Sequence, residues 1–166
     1  MKQIIILLLI INPLLTYSQG ATKTEINWIT LEKAKQYAKK YNKEILIFFY
    51  KKDCEYCEKM EKEALSDMQV INLINNNFLP VKINSRTKDT IYYKGTKYSN
   101  QQPVEHGYTF RHDFYAEVSS FTRDNTEQST TPTIVLFNNK FEKLKNLPGL
   151  QPKQLLLRNL KHYVLK

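Results

Sequence analysis

Apolar positions recur at two periods along this chain, and their succession outlines a layered α/β domain. Leu31, Ala34, Tyr37, Ala38 and Tyr41 fall at the spacing of one helical face, which predicts an amphipathic helix over 28–41 with Thr30 available as its N-cap. Glu44 then opens a run of apolar residues to Tyr50 with no alternation. Such a run predicts a strand buried on both faces, hence helices on either side of a mainly parallel sheet. Cys57, Met60, Ala64 and Leu65 return to helical spacing, and Ser66-Asp67 interrupts with two good capping residues. Val70, Ile71 and Ile74 predict a further helical segment over 68–76, and Phe78 to Ile83 predicts the next strand. Successive strand–helix–strand steps make a right-handed parallel arrangement the natural topology.

Beyond Asn84 the pattern loosens into a stretch rich in Tyr, Ser, Thr and Asn. Only 111–121 has helical spacing there, through Phe114, Val118 and Phe121. A structureless loop of that length is unusual in a small domain, so residues from about 87 to 108 are expected to form a packed excursion or a small hairpin. Its tyrosines, with Tyr115, are expected to cover the domain edge, the alternative being a protein-binding face. Thr133 to Phe137 is apolar and β-branched, Asn138-Asn139 signals a turn, and Phe141 to Leu147 predicts the antiparallel partner. Pro148-Gly149 ends the sheet. Pro152 suits a first helical turn, and Leu155, Leu156, Leu160 and Val164 predict the buried face of a C-terminal helix.

The N-terminus changes the picture of where this domain works. Met1-Lys2, the apolar stretch Ile4 to Ile11, and Thr16 and Ser18 read as a secretory signal peptide over 1–18, cleaved after Ser18, with cleavage after Gly20 and a retained N-terminal anchor as the alternatives. The stretch is too short and interrupted for a confident membrane span, so an exported, periplasmic or extracellular protein without stable membrane insertion is expected. Residues 19–166 suffice for one domain and are too few for two. The formal net charge is +9, but the lysines are scattered, and Lys33, Lys35, Lys39, Lys40 and Lys43 are expected on the solvent face of the first helix. No segment interleaves Arg with aromatics, so no nucleic-acid partner is expected.

The only two cysteines, Cys54 and Cys57, stand directly after the Glu44–Tyr50 run. A strand that turns into a helix there puts Cys54 at the helix N-terminus, where free N–H groups and the dipole favour a thiolate. Cys57, three positions on, shares its helical face within disulfide distance. That geometry suits a bond repeatedly made and broken. In an oxidising compartment a structural disulfide in a redox-inert binding module is the alternative. Copper or zinc held by both thiolates with His106 or His112 is a third possibility, although these histidines have no ligand spacing of their own. Tyr56, inside the turn, is placed to shape substrate contact.

The order helix, strand, Cys-x-x-Cys helix, strand, helix, then Thr131-Pro132-Thr133 before an antiparallel pair, resembles the thioredoxin fold. Within that superfamily Cys54, Cys57, Met60 and Glu61 resemble the Cys-x-x-Cys-x-x-Met-Glu helix of exported thioredoxin-related proteins. The resemblance implies a thioredoxin-like α/β fold with a central mixed sheet flanked by helices and an inserted segment before a cis-proline, Pro132. It implies Cys54 as the attacking cysteine, Cys57 as the resolving one, and Thr131 as the residue facing substrate. It also implies protein dithiol or disulfide partners and an upstream thiol donor or acceptor, with a lean toward reductase or isomerase and no cofactor.

Two departures qualify the likeness. The buried aspartate that thioredoxin carries six positions before its first cysteine is Phe48 here, while Lys82 matches the lysine that accompanies that acid. Glu58 and Glu61, on the active helix, are the nearby candidates for taking the Cys57 proton, with water as the other. The long segment before Pro132 is the second departure and is expected to wall the active site.

Overall fold

A computed structural model describes residues 24–101, 103 and 110–164; the expected leader at 1–18, His106 and Tyr108 lie outside them. Strand β1 (Glu44–Tyr50) is the spine of the sheet. Its side chains alternate between two fully buried clusters, Leu46 and Phe48 on one face and Ile45, Ile47 and Phe49 on the other. The unbroken apolar run is therefore two interleaved core faces.

Strand β1 pairs parallel with β2 (Phe78–Asn84) and antiparallel with β7 (Thr133–Phe137), which pairs antiparallel with β8 (Lys143–Pro148). The strand order is β2-β1-β7-β8, so the sheet is mixed, not mainly parallel, and a single strand–helix–strand crossover links β1 to β2. An antiparallel neighbour buries a central strand as well as a parallel one does, which is why hydrophobicity alone did not separate the two.

Helices α1 (Leu31–Tyr41) and α4 (Asp113–Ser119) cover one face; α2 (Glu55–Met60), α3 (Met68–Asn77) and α5 (Lys153–Val164) cover the other. The α1 helix begins at Leu31 because the Thr30 hydroxyl accepts the Lys33 N–H at 3.3 Å. Trp28, expected within it, instead stacks on Phe48 with ring centroids 6.1 Å apart. Lys35, expected in solvent, is half-buried: its Nζ donates to the Tyr92 carbonyl at 2.7 Å and stands 4.4 Å from the Phe141 ring centroid. Burial lowers its pKa, against the raising effect of Glu32. In α5 the buried residues are Leu156, Leu157 and Leu160, with Leu155 and Val164 half-buried, so the inward stripe is centred one position on from the predicted one.

Two hairpins decorate the segment between β2 and β7. The first, β3 (Ile91–Tyr93) with β4 (Thr96–Tyr98), turns at Lys94 (φ 49°) and Gly95 (φ 78°) and buries Ile91 and Tyr93 against the α1 side of the core. The second pairs β5 (Phe121–Arg123) with β6 (Thr126–Gln128) through Asp124 (φ 50°) and Asn125 (φ 58°). The helix expected to reach Phe121 therefore stops at Ser119, and Phe121 opens a strand. Phe141, expected as the first residue of the final strand, is in the turn at φ 61° and stacks on Phe137. Among the described residues no helix is long and apolar enough to cross a membrane.

The interruption at Ser66-Asp67 is a structural joint. Asp67 accepts the N–H groups of Gln69 at 2.9 Å and Val70 at 3.4 Å, capping α3, and pairs with Lys153 of α5 at 2.7 Å. The Lys153 contact, helped by the backbone donors and opposed by desolvation, holds its carboxyl below the ordinary value of 3.8. The folded state thus binds this proton less tightly than the unfolded one, so its stabilisation is complete above 3.8 and is lost as pH falls through the lower folded value. Asp67→Asn keeps the cap but not the charge. Its unfolding midpoint is expected below that of the native chain at neutral pH and to converge with it in thermal melts as the pH falls through the lowered folded value. A gap that persists undiminished in acid would assign the effect to packing.

Candidate active site

The path from β1 into α2 sets the geometry of the cysteines. Asp53, at φ 54°, turns the chain so that Cys54 is the extended N-cap of α2 (φ −116°, ψ 100°). The Cys54 carbonyl accepts the N–H groups of Cys57 and Glu58, each at 3.0 Å, and its Sγ lies 3.2 Å from the Cys57 nitrogen, aligned to accept the same N–H. Cys54 and Cys57 form a disulfide with Cα atoms 5.2 Å apart. Once reduced, Cys54 holds its sulfur where helix N–H groups stabilise negative charge. Cys57 is the deeper of the two, at 2% exposure against 5% for Cys54.

Facing Cys54 is the loop before β7. The Thr131–Pro132 peptide is cis, and the Thr131 carbonyl oxygen and hydroxyl lie 3.8 and 3.9 Å from Cys54 Sγ. Three contacts hold this loop. The Tyr115 hydroxyl of α4 donates to the Thr130 carbonyl at 2.7 Å, the Thr133 hydroxyl donates to the same oxygen, and Gly149 N–H donates to the Pro132 carbonyl at 2.8 Å. Burial raises the Tyr115 pKa, so the phenol stays a donor well into alkaline pH. Beside Pro132 lies a cleft of about 410 Å³ whose lining includes Tyr56, Phe121, Arg123, Pro148 and Leu150. Tyr56 is 61% exposed.

The position at which thioredoxin carries its acid is apolar here. Phe48 is fully buried and stacks between Trp28 and Tyr50, at 6.1 and 6.3 Å. Lys82 is its register partner on β2, and Lys82 Nζ donates to Glu61 Oε2 at 2.7 Å while lying 4.8 Å from the Tyr50 ring centroid. Glu61 is one turn past Cys57, its N–H bonded to the Cys57 carbonyl, and it opens a π-helical turn over Glu61–Leu65. Of the candidates for proton transfer, Glu61 and Lys82 are brought together. Glu58 is exposed on the outer face.

With a capped Cys-x-x-Cys beside a cis-proline, on a mixed sheet between two helical layers, residues 31–163 also match the sequence model of the thioredoxin-like domain. The chain belongs to that family. Its architecture is similar to a thioredoxin from Thermus thermophilus (19% identity, TM-score 0.58, covering 84% of this chain and 87% of that one). It is also similar to a DsbH oxidoreductase (14%, 0.59, covering 93% and 94%) and to a disulphide isomerase from Xylella fastidiosa Temecula1 (17%, 0.51, covering 80% and 86%). Among curated sequences, mouse Anterior gradient protein 3 is 27% identical over 66 residues, 39% of this chain and 40% of that protein. The chain thus spans less than half of that relative.

In this thioredoxin-like domain His112 is a helix cap, not a polar bystander. It is buried at 1% exposure, its Nδ1 accepts the Phe114 N–H at 3.0 Å, and its Nε2 donates to the Asp89 carbonyl at 2.8 Å. One nitrogen is committed to α4 and the other to the Asp89 carbonyl ahead of β3, which leaves no lone pair for copper or zinc. Among the described residues no group of three or more His, Cys, Asp or Glu side chains converges as a metal site. His162 is on the surface of α5 against Tyr163. The tyrosines divide: Tyr93 and Tyr115 are core, Tyr98 is half-buried and Tyr92 is exposed. The places of Tyr115 against the Thr130 carbonyl and of Arg123 beside Pro132 are not legible in the sequence, because only the fold brings their elements to that loop.

Proposed function

We propose that this thioredoxin-like protein is an extracytoplasmic thiol-disulfide oxidoreductase acting on protein substrates through Cys54 and Cys57. One observation carries the reading: Cys54 Sγ caps the active helix and lies 3.8 Å from the carbonyl that precedes the cis-proline. A reactive sulfur beside an open backbone carbonyl is where an extended chain can pair as an added strand while its disulfide is attacked. Thr131 lines that strand, and Tyr56 contacts it from the helix side. The leader sequence supports export, and relatives named oxidoreductase and disulphide isomerase support the reaction class.

In the reducing direction Cys54 thiolate attacks one sulfur of a substrate disulfide, forming a mixed disulfide and releasing the other sulfur as a thiolate. Cys57 then gives up its proton and attacks Cys54, releasing the second substrate thiolate and closing the Cys54–Cys57 bond. Two electrons pass to the substrate. Glu61, oriented by Lys82, takes the Cys57 proton. An upstream thiol donor must restore the dithiol, and no cofactor takes part. The family likeness favours reduction or isomerisation over net oxidation.

Equilibration with graded dithiothreitol redox mixtures, followed by alkylation and mass analysis, tests this. The expected result is a reversible two-electron titration with a potential between about −270 and −180 mV, the range of thioredoxins and isomerases. A value near −120 mV would reverse the direction, and a disulfide that yields only on unfolding would make it a structural link.

A further inference from the structure

We propose that Arg123, on the β5–β6 hairpin, selects substrates that carry an acidic side chain close to the attacked cysteine. This rests on the oxidoreductase reading and adds a substrate class to it. The hairpin immediately precedes the Thr130–Pro132 loop, so its placement fixes what lies beside an incoming strand. Strand alternation decides which residues it presents. Phe121 and Arg123 share one face with their register partners Gln128 and Thr126, while Thr122 and Glu127 share the other.

Phe121, Arg123 and Gln128 line the cleft beside Pro132, whereas Thr122 and Glu127 do not. Glu127 instead borders a separate hollow with Arg111 and Glu117. The Arg123 guanidinium stands over the Phe121 ring, 5.6 Å from its centroid, which orients the cation along the cleft wall. Arg123 is exposed and has no ion pair with a described carboxylate.

Every other residue lining the cleft is uncharged. A peptide seated there therefore meets one fixed positive charge and an apolar wall from Tyr56, Phe121 and Pro132. The nearby acids lie outside it: Asp124 is in the hairpin turn, and Glu55 is exposed beside Cys54 on α2. An acidic side chain is thus favoured on the proline side of the cleft, and a basic one is repelled.

Short fluorescent peptides with serine in place of cysteine, flanked by Asp or by Lys, separate recognition from redox chemistry. Anisotropy titrations with the full chain at low salt are expected to show the Asp peptide binding about fivefold more tightly, a preference that shrinks as salt rises. Arg123→Gln should erase the preference and Arg123→Glu should invert it. Equal affinities in the native chain, undetectable binding of both peptides, or a preference unchanged by Arg123→Glu would overturn the proposal. Exchange between the native chain, first reduced to the Cys54/Cys57 dithiol, and uncharged 2-hydroxyethyl disulfide is measured in parallel. Its absence would defeat the oxidoreductase reading, while the peptide titrations decide the role of Arg123 independently.

Discussion

Cys54→Ser should bring disulfide exchange to the uncatalysed rate, whereas Cys57→Ala should keep the first attack and stop after it. The asymmetry follows from position. Cys54 is the sulfur facing the Thr131 carbonyl and receiving a helix N–H, and Cys57 is buried beneath it. Without Cys57 the mixed disulfide has no internal attacker, so it accumulates. On non-reducing gels Cys57→Ala should yield adducts that dithiothreitol collapses, and Cys54→Ser should yield none. The same pair of variants tests a purely structural bond. The loop closed by a sequence separation of three constrains the unfolded chain by only about 2 kcal/mol in the chain-entropy account. Both variants are therefore expected to fold, with modestly lowered melting temperatures. Equal loss of stability with no adducts from Cys57→Ala would indicate a staple.

What was readable from the sequence follows the range over which each signal acts. The Glu44–Tyr50 strand, the Thr30 and Asp67 caps and the Thr133–Phe137 strand declare themselves in a few neighbouring residues. The β5–β6 hairpin does not. Its strands are three residues each and mostly exposed, too short for alternation to show, and its turn is Asp-Asn in place of the Asn-Gly or Asp-Gly that marks such turns. Phe121 therefore reads as part of the preceding helix, whose spacing it happens to continue. Lys35 fails for a different reason. On its own helix it is a solvent-facing position, and only the packed β3–β4 hairpin and the Phe141 turn give it partners. The same holds for the chemistry: the cysteines, Thr131 and Pro132 carry local motifs, but the Lys82–Glu61 pair joins a strand to a helix, and no motif announces it.

Glu61→Gln should slow resolution of the mixed disulfide by about 100-fold at neutral pH, the scale of a lost general base. Phe48 supplies no acid under the cysteines, and Glu58 is turned to solvent. Glu61 is one helical turn from Cys57, and its carboxylate accepts from Lys82 Nζ at 2.7 Å, Lys82 being the register partner of Phe48. The acid that thioredoxin carries on the strand is, in this reading, moved to the helix, with the lysine kept. Gln preserves shape and accepts a bond from Lys82 but cannot take a proton, so its defect isolates proton transfer from packing. Single-turnover release of an aromatic thiol from its mixed disulfide with Cys54 follows this step by absorbance. The variant should recover toward the native rate as pH rises, because hydroxide then takes over from the missing carboxylate. Lys82→Met should shift the same profile while leaving a carboxylate in place. A Glu61→Gln variant with the native rate and pH profile would show that the Cys57 proton goes to water instead.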